Sequence, residues 1–126
     1  MHWVVAQGVY QPRRSQTSKP CAPFFVIRVD GKPVGCGAIK LFGTEYGEIK
    51  RMYVRPQARS VGLAKKMLQR LEQYARERGV RLLRLETGIY QREAISLYEQ
   101  AGFLPVSPFG EYEPSQFSLF FEKPVI

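Results

Sequence analysis

The chain has 126 residues, of which 44% are hydrophobic and 24% charged, and this size and composition predict one folded domain over residues 1–126. No apolar run approaches the roughly 18 residues that cross a bilayer, and the N-terminus lacks the features of a signal peptide, so we expect a cytoplasmic protein without membrane contact. The net charge of +8 is concentrated in residues 50–84, where eleven basic and two acidic side chains indicate either an anion-binding surface or a solvated basic helix.

The first 23 residues carry the weakest signals. Trp3–Ala6 has the composition of a short strand, and Gln11–Pro23 is typical of a loop because it combines prolines with polar residues. We therefore expect a short N-terminal segment over residues 1–23 and the folded core over residues 24–123.

Three strands are predicted to follow. Phe24–Val29 and Pro33–Leu41 flank Asp30-Gly31, a pair typical of the two-residue hairpin turn in which both positions take positive φ. Glu48–Val54 is the third strand, and Pro56 ends it because proline cannot extend a strand ladder. Three consecutive strands of this kind form an antiparallel meander.

The apolar spacing then becomes helical, and its inward positions are Leu63, Met67, Leu71, Tyr74 and Ala75. With Ser60 as N-cap and Gly79 just beyond the C-terminus, the helix has about 17 to 19 residues. Val80–Thr87 is again a strand. Because a helix connects it to the third strand, we expect the two strands to be parallel.

The last elements are a second helix over Arg92–Gln100, stopped by Gly102, and two strands over Phe103–Val106 and Phe117–Lys123. The fold class is therefore α/β (α+β), with a mixed, mostly antiparallel central sheet and one βαβ crossover.

The cysteine and histidine content excludes several chemistries. Cys21 and Cys36 lack the spacing of a zinc site, so we expect no bound metal and two free thiols, with a pairing between them left open. The single histidine, His2, lies at the end of the chain, which argues against Ser-His-Asp or Cys-His catalysis.

The start of the basic helix, residues 59–64, is the most informative segment. Backbone amides at a helix N-terminus lack partners and face the positive end of the helix dipole. Gly62 and Ala64 leave room for a close approach, and Arg59 and Lys65 add charge, which together indicate a phosphate site. The alternative is an ordinary strand-to-helix turn in which Gly62 only allows tight packing.

Two separated segments resemble the GNAT N-acetyltransferase superfamily. EIKRMYVRPQARSVGLAKKML, residues 48–68, resembles the acyl-CoA-binding motif Arg/Gln-x-x-Gly-x-Gly/Ala, matched by Arg59, Gly62 and Ala64. LETGIYQREAISLYEQAGF, residues 85–103, resembles the next strand and helix of the family. The two motifs occur in the family's order, and the resemblance covers about residues 24–123.

The resemblance implies an acetyl-CoA site along the third strand and the first helix. In the family the pantetheine arm pairs with a strand edge, so the Met52 N–H would meet the acyl oxygen and Val54 would bind the pantetheine. The helix N-terminus would hold the pyrophosphate. The residues expected to bind acetyl-CoA are Met52, Tyr53, Val54, Arg59, Ser60, Val61, Gly62, Leu63, Ala64, Lys65 and Gln91. Gln91 stands where the family often has asparagine.

The resemblance also implies two catalytic residues. Tyr98 matches the family's general acid, which protonates the departing CoA thiolate. Glu48 matches a glutamate that removes a proton from the amine. The residues themselves leave alternatives open, since Tyr98 has the position of a core tyrosine and Glu48 that of a salt-bridge partner for Lys50 or Arg51.

The segment PFGEYEP, residues 108–114, matches the family region that lines the acceptor pocket. Glu111 would suit a cationic amine and Tyr112 would pack against its carbon chain, although a solvated acidic loop has the same composition. Family members usually have a strand and two helices before the hairpin that form one wall of the acceptor site. About 23 residues precede the hairpin here, so either the acceptor cleft is unusually open or a second subunit supplies that wall. Because an uncovered sheet edge and apolar face favour self-association, we expect a homodimer.

Three functions follow as hypotheses. The first is an N-acetyltransferase that transfers the acetyl group of acetyl-CoA directly to a primary amine of a small molecule or peptide. The second is a non-catalytic CoA-binding or regulatory module. The third is a nucleic-acid-binding basic domain, which is the least favoured because no aromatic stacking platform accompanies the basic residues.

Overall fold

The computed structural model of the protein describes residues 2–8 and 23–125. The strands are β1 (Trp3–Gly8), β2 (Phe24–Val29), β3 (Lys32–Phe42), β4 (Tyr46–Val54), β5 (Leu82–Gly88), β6 (Leu104–Val106) and β7 (Ser118–Pro124). The helices are α1 (Leu63–Glu77) and α2 (Arg92–Gln100), and a 3₁₀ segment covers Pro56–Val61. The strands form one sheet in the order β1-β2-β3-β4-β5-β7-β6.

The predicted meander and crossover are confirmed. Asp30 and Gly31 connect β2 to β3 with φ of +50° and +81°, as the two-residue hairpin turn requires. β4 and β5 pair in parallel through the α1 connection, and the other strand pairs of the described residues are antiparallel. The strand expected over Trp3–Ala6 is also present, as β1. The loop expected over Gln11–Pro23 lies, except for Pro23, outside the described residues, and so does Cys21.

The predicted start of the first helix was wrong. The helix begins at Leu63 and has 15 residues, and its N-cap is Gly62 at φ +78° rather than Ser60. Ser60 instead belongs to the preceding 3₁₀ segment. The reason is the backbone of Gly62, because a left-handed residue cannot continue the right-handed turns that precede it.

Both helices end in the same glycine-dependent turn. After α1, the Val80 N–H donates to the Ala75 carbonyl at 2.9 Å and the Gly79 N–H to the Arg76 carbonyl at 3.1 Å. This pattern is the Schellman motif, and the φ of +77° at Gly79 provides the left-handed residue that it needs. The predicted stop at Gly79 is therefore confirmed.

The sheet buries apolar side chains on both faces. On one face, α1 packs Met67 and Leu71, both fully buried, against Phe25 and Ile49 of the sheet. On the other face an aromatic cluster forms around Tyr46, Phe109 and Phe120. Neighbouring residues of a strand point to opposite faces, so Glu48 and Lys50 share the face of this aromatic cluster.

The contact between α1 and the sheet gives a stability prediction. Leu71→Ala removes a fully buried side chain from this core and should lower the free energy of unfolding by about 2–5 kcal/mol. Leu104→Ala, at a leucine that is 64% exposed on β6, should change it by less than about 0.5 kcal/mol. Urea unfolding of the two variants checks both values, and equal losses would contradict the assignment of the core.

Candidate active site

A gap between two neighbouring strands defines the site. β4 and β5 pair only where Gly47–Ile49 lies beside Leu83–Leu85. Past Ile49 a β-bulge bends β4, because Gly37 of β3 faces two residues of β4, Arg51 and Met52. Arg51 has a φ of +54°, which is uncommon for a residue with a Cβ and marks the bulge. The ladder between β4 and β5 therefore stops after three residue pairs.

A cleft opens at this gap, between the end of β4, the start of α1 and one side of α2. It is lined by Met52, Tyr53, Val54, Arg59, Ala64, Gln91, Glu93, Ala94, Leu97 and Tyr98. Seven of these were predicted to be site residues. The sequence analysis missed Glu93, Ala94 and Leu97, although Ala94 lies four residues before Tyr98 and three before Leu97, a helical spacing that could have found Ala94 and Leu97.

Tyr98 is held in the cleft wall by the end of α2. It is 5% exposed, and its ring packs edge-on against Phe103 at 5.7 Å between centroids. A second Schellman motif fixes the contact: the Phe103 N–H donates to the Tyr98 carbonyl at 3.0 Å, and Gly102 supplies the left-handed residue. Burial raises the pKa of Tyr98 to about 12, so its hydroxyl stays protonated at neutral pH.

Arg59 links the two walls of the cleft. Its Nε donates to the Val54 carbonyl at 2.7 Å, and its guanidinium lies over the Tyr53 ring at 5.5 Å. Its Nη1 also lies 3.4 Å from Glu93 Oε2 on α2. Since the Glu93 side chain is 80% exposed, solvent weakens that ion pair, and an anionic ligand has little to displace there.

The N-terminus of α1 opens onto the same region. The first bond of its i→i−4 ladder runs from the Lys66 N–H to the Gly62 carbonyl at 3.2 Å, so the amides of Leu63, Ala64 and Lys65 precede the ladder. A Cβ added to Gly62 would meet no atom within 4 Å, which leaves open space in front of these amides. Leu63 itself is 1% exposed, so only its backbone faces that space.

Glu48 lies at the point where the gap begins, on the opposite face of the sheet from α1. The residue is 3% exposed, and its Oε2 accepts a hydrogen bond from the Tyr112 hydroxyl at 2.5 Å. Lys50 Nζ is 3.8 Å from the same oxygen, an ion-pair contact too long for a hydrogen bond. Burial, followed by the hydrogen bond to Glu48, raises the pKa of Tyr112.

The predicted site residues thus divide into two groups. Six of the residues predicted to bind acetyl-CoA line the cleft together with Tyr98, and the other five lie within residues 60–65 around the start of α1. Glu48 and Tyr112 instead meet each other on the other face, beside the last paired residue of β4. Glu111, predicted with Tyr112 at the acceptor, is exposed in the same loop, and Val61 is exposed just ahead of Gly62.

A family model for the acetyltransferase (GNAT) family matches residues 3–103 of the chain. The match includes the bulged strand, the start of α1 and Tyr98. The chain belongs to the GNAT family.

Individual relatives agree with this assignment. An IAA acetyltransferase of Azospirillum brasilense is 48% identical over 110 residues, which cover 86% of this chain and 71% of the relative. The matches to two further curated relatives span 53% and 60% of their lengths. Among solved structures, an acyl-CoA N-acyltransferase described as putative from Klebsiella pneumoniae has 44% identity and a TM-score of 0.81, over 83% of this chain and 73% of its own.

A GNAT acetyltransferase from Elizabethkingia anophelis, solved with acetyl-CoA bound, shares the fold. Its TM-score is 0.75 at 15% identity, and the match covers 97% of both chains. Among residues 2–8 and 23–125 of the GNAT protein described here, no helix is long and apolar enough to cross a bilayer, and no three His, Cys, Asp or Glu side chains are grouped to hold a metal ion. The homodimer and the cytoplasmic location stay predictions.

The raised pKa of Tyr98 gives a prediction for stability at high pH. The unfolded chain loses the Tyr98 proton near its ordinary pKa of about 10 and the folded chain near 12, so this residue lowers the free energy of unfolding as pH rises from 10 to 12. The free energy of unfolding of the Tyr98→Phe variant should fall less steeply over that pH interval. Urea unfolding at a series of pH values measures the difference, and identical curves up to pH 12 would show that Tyr98 is not buried as described.

Proposed function

We propose that this protein transfers an acetyl group from acetyl-CoA directly to the amine of a small molecule or peptide. The observation that carries the proposal is the gap between β4 and β5, which has a buried tyrosine on its wall and the free N-terminus of a basic helix at its mouth. Family membership supports the same reaction, and related folds have been solved with acetyl-CoA bound.

Binding of acetyl-CoA uses two kinds of backbone group. The unpaired edge of β4 past Ile49 offers strand hydrogen bonds to the amide groups of the pantetheine arm. The amides of Leu63, Ala64 and Lys65 offer donors to the pyrophosphate, where the helix dipole adds to the attraction. Arg59 and Lys65 contribute positive charge, and Gln91 lies on the cleft wall beside α2.

The reaction forms a C–N bond and breaks a C–S bond at the same carbonyl carbon. As the amine nitrogen attacks, negative charge develops on the carbonyl oxygen, and the Met52 N–H at the bulge is the donor that we assign to it. A backbone donor fixed in advance stabilises this charge without reorganisation. No covalent acetyl-enzyme is required, since Cys36 pairs with the Arg51 carbonyl at 3.4 Å and has no histidine partner.

Tyr98 is the hydrogen-bond donor that we assign to the departing sulfur. A tyrosine hydroxyl is protonated throughout the physiological range, and burial raises the pKa of Tyr98 further, to about 12. A thiol has a pKa near 8.5, so full transfer of the tyrosine proton is uphill, and the main contribution is a hydrogen bond that strengthens as the thiolate forms.

Glu48 is the general base that we assign to the acceptor amine. An alkyl amine has a pKa of about 10, so at neutral pH most of the acceptor is an ammonium ion that must lose a proton before it attacks. The Glu48 carboxylate lies on the face of the sheet opposite α1, next to Ile49, the last residue of β4 that pairs with β5. An acceptor that enters from the side of Glu111 and Tyr112 would meet the thioester through the gap. The relative named IAA acetyltransferase, from Azospirillum brasilense, supports acetyl transfer without specifying the acceptor here.

Calorimetric titration with acetyl-CoA tests the binding site. Gly62→Glu places a bulky negative side chain in front of the α1 amides and should abolish binding. Gly79→Glu is the matched control, because Gly79 has nearly the same φ and the same open surroundings at the other end of α1. It carries the same backbone strain and charge and should bind like the wild type. Equal affinities of the two variants would place the phosphates elsewhere.

Release of CoA, followed with a thiol reagent across a panel of amines, tests the transfer itself. Turnover with any amine supports the enzyme. Saturable binding without turnover would instead favour the non-catalytic module. If acetyl-CoA does not bind, and nucleic acid binds with an affinity that falls steeply as the salt concentration rises, the basic-domain hypothesis is favoured.

Tyr98→Phe tests the leaving-group role in the same assay. The variant keeps the ring that packs against Phe103 and loses only the hydroxyl. Turnover should fall by about 100-fold while the affinity for acetyl-CoA is retained, because the hydrogen bond strengthens only as the thiolate forms. An undiminished kcat would remove Tyr98 from the mechanism.

A further inference from the structure

The proposed base is almost closed off from solvent. The side chain of Glu48 is only 4% exposed, and its Oε2 is occupied by the Tyr112 hydroxyl, with Lys50 Nζ beside it. Tyr112, whose hydroxyl covers this oxygen, is 36% exposed, so a molecule that approaches Oε2 from the loop of residues 108–114 meets Tyr112 first. An acceptor amine would therefore meet the tyrosine before the glutamate.

Charged groups from the neighbouring strands surround this pair. Lys50 on β4 and Lys40, the cross-strand partner of Glu48 on β3, add positive charge. On β5, Arg84 pairs with Glu122 of β7 at 3.1 Å, and Glu86 accepts a hydrogen bond from Ser118 at 2.6 Å. Arg84 and Glu86 thus have other partners, and the two lysines carry positive charge. Tyr112 is the residue that donates a hydrogen bond to Glu48.

We propose that Tyr112 is a catalytic proton relay, through which the acceptor ammonium passes its proton to Glu48. The inference rests on the proposed acetyl transfer. It adds the residue that contacts the acceptor nitrogen and requires an acceptor that carries a hydrogen-bond donor, as an ammonium group does. The sequence analysis gave Tyr112 only a packing role.

The relay moves two protons in one concerted step. An N–H bond of the ammonium breaks as the Tyr112 oxygen takes that proton, and the Tyr112 O–H bond breaks as Glu48 Oε2 takes the tyrosine proton. The products are a neutral amine, a neutral tyrosine and a protonated Glu48. Because tyrosinate never forms, the raised pKa of Tyr112 does not oppose the step. The free amine then attacks the thioester.

The aromatic ring of Tyr112 has a separate structural role, which a conservative variant preserves. The ring packs edge-on against Phe109 at 5.3 Å and Phe120 at 5.4 Å. Tyr112→Phe keeps these contacts and deletes the hydroxyl. Tyr46→Phe is the matched control, since Tyr46 also packs against Phe109, at 5.7 Å, and makes no hydrogen bond to Glu48 in the described part of the chain.

Steady-state kinetics of four variants tests the relay, with CoA release as the signal and an amine that the wild type accepts. Tyr112→Phe should lower kcat at least about 10-fold with little change in the KM for acetyl-CoA, and Tyr46→Phe should match the wild type. Glu48→Gln should be at least as slow as Tyr112→Phe. The double variant should be no slower than Glu48→Gln alone, because two groups on one proton path are lost as a unit. A wild-type kcat in Tyr112→Phe, or losses that multiply in the double variant, would overturn the relay.

A measurement without turnover separates this inference from the proposed function. Ultraviolet titration of the tyrosines should show one that ionises at lower pH in Glu48→Gln than in the wild type, and no such shift when Tyr112 is already phenylalanine. Absence of the shift would mean that the hydrogen bond is not present in solution, which overturns the relay even in an active enzyme. A shift in a protein that acetylates no amine would confirm the contact but refute both the transfer and its relay.

Discussion

The site depends on two neighbouring strands that stop pairing. β4 and β5 share three residue pairs and then separate, because the bulge at Arg51 and Met52 turns β4 away. Backbone groups at an unpaired strand edge need hydrogen-bond partners, which water or a ligand must provide. An extended amide-containing chain is the ligand whose own groups match this edge.

The tyrosine on the cleft wall is positioned by a helix end rather than by a polar contact. The Schellman motif at Gly102 returns the chain so that Phe103 packs on the Tyr98 ring, and Phe121 lies 6.5 Å from the same ring. The ring is therefore fixed by apolar packing while the hydroxyl stays free of a competing acceptor among the described residues. This arrangement suits a donor whose partner appears only during the reaction.

Local sequence signals predicted the elements well because the responsible residues are close together in the chain. Asp30-Gly31 required a tight hairpin, and Gly79 and Gly102 each ended a helix at the expected place. The start of α1 was misplaced because both Ser60 and Gly62 are acceptable N-cap residues, and only the backbone conformation distinguishes them. Family resemblance, rather than periodicity, pointed to Tyr98 and Glu48.

Features that depend on distant residues were not predictable in this way. The hydrogen bond between Glu48 and Tyr112 joins residues 64 positions apart, and it arises from the path of the loop after β6 across the sheet. The bulge at Arg51 had no signal, because a positive φ usually selects glycine, asparagine or aspartate and here falls on arginine. Glu93 was not predicted as a cleft residue, because its contact with Arg59 also depends on tertiary structure.

The separation of the two faces has a consequence for how such proteins diversify. The elements around the cleft, the end of β4 and the starts of α1 and α2, lie on one side of the sheet, while Tyr112 and Phe109 come from a single loop on the other. Insertions or substitutions in that loop alter what approaches Glu48 without moving the residues of the cleft. In the proposed mechanism the cleft holds acetyl-CoA and the loop meets the acceptor, so changes in one loop can alter the acceptor while the acetyl-CoA site is inherited unchanged.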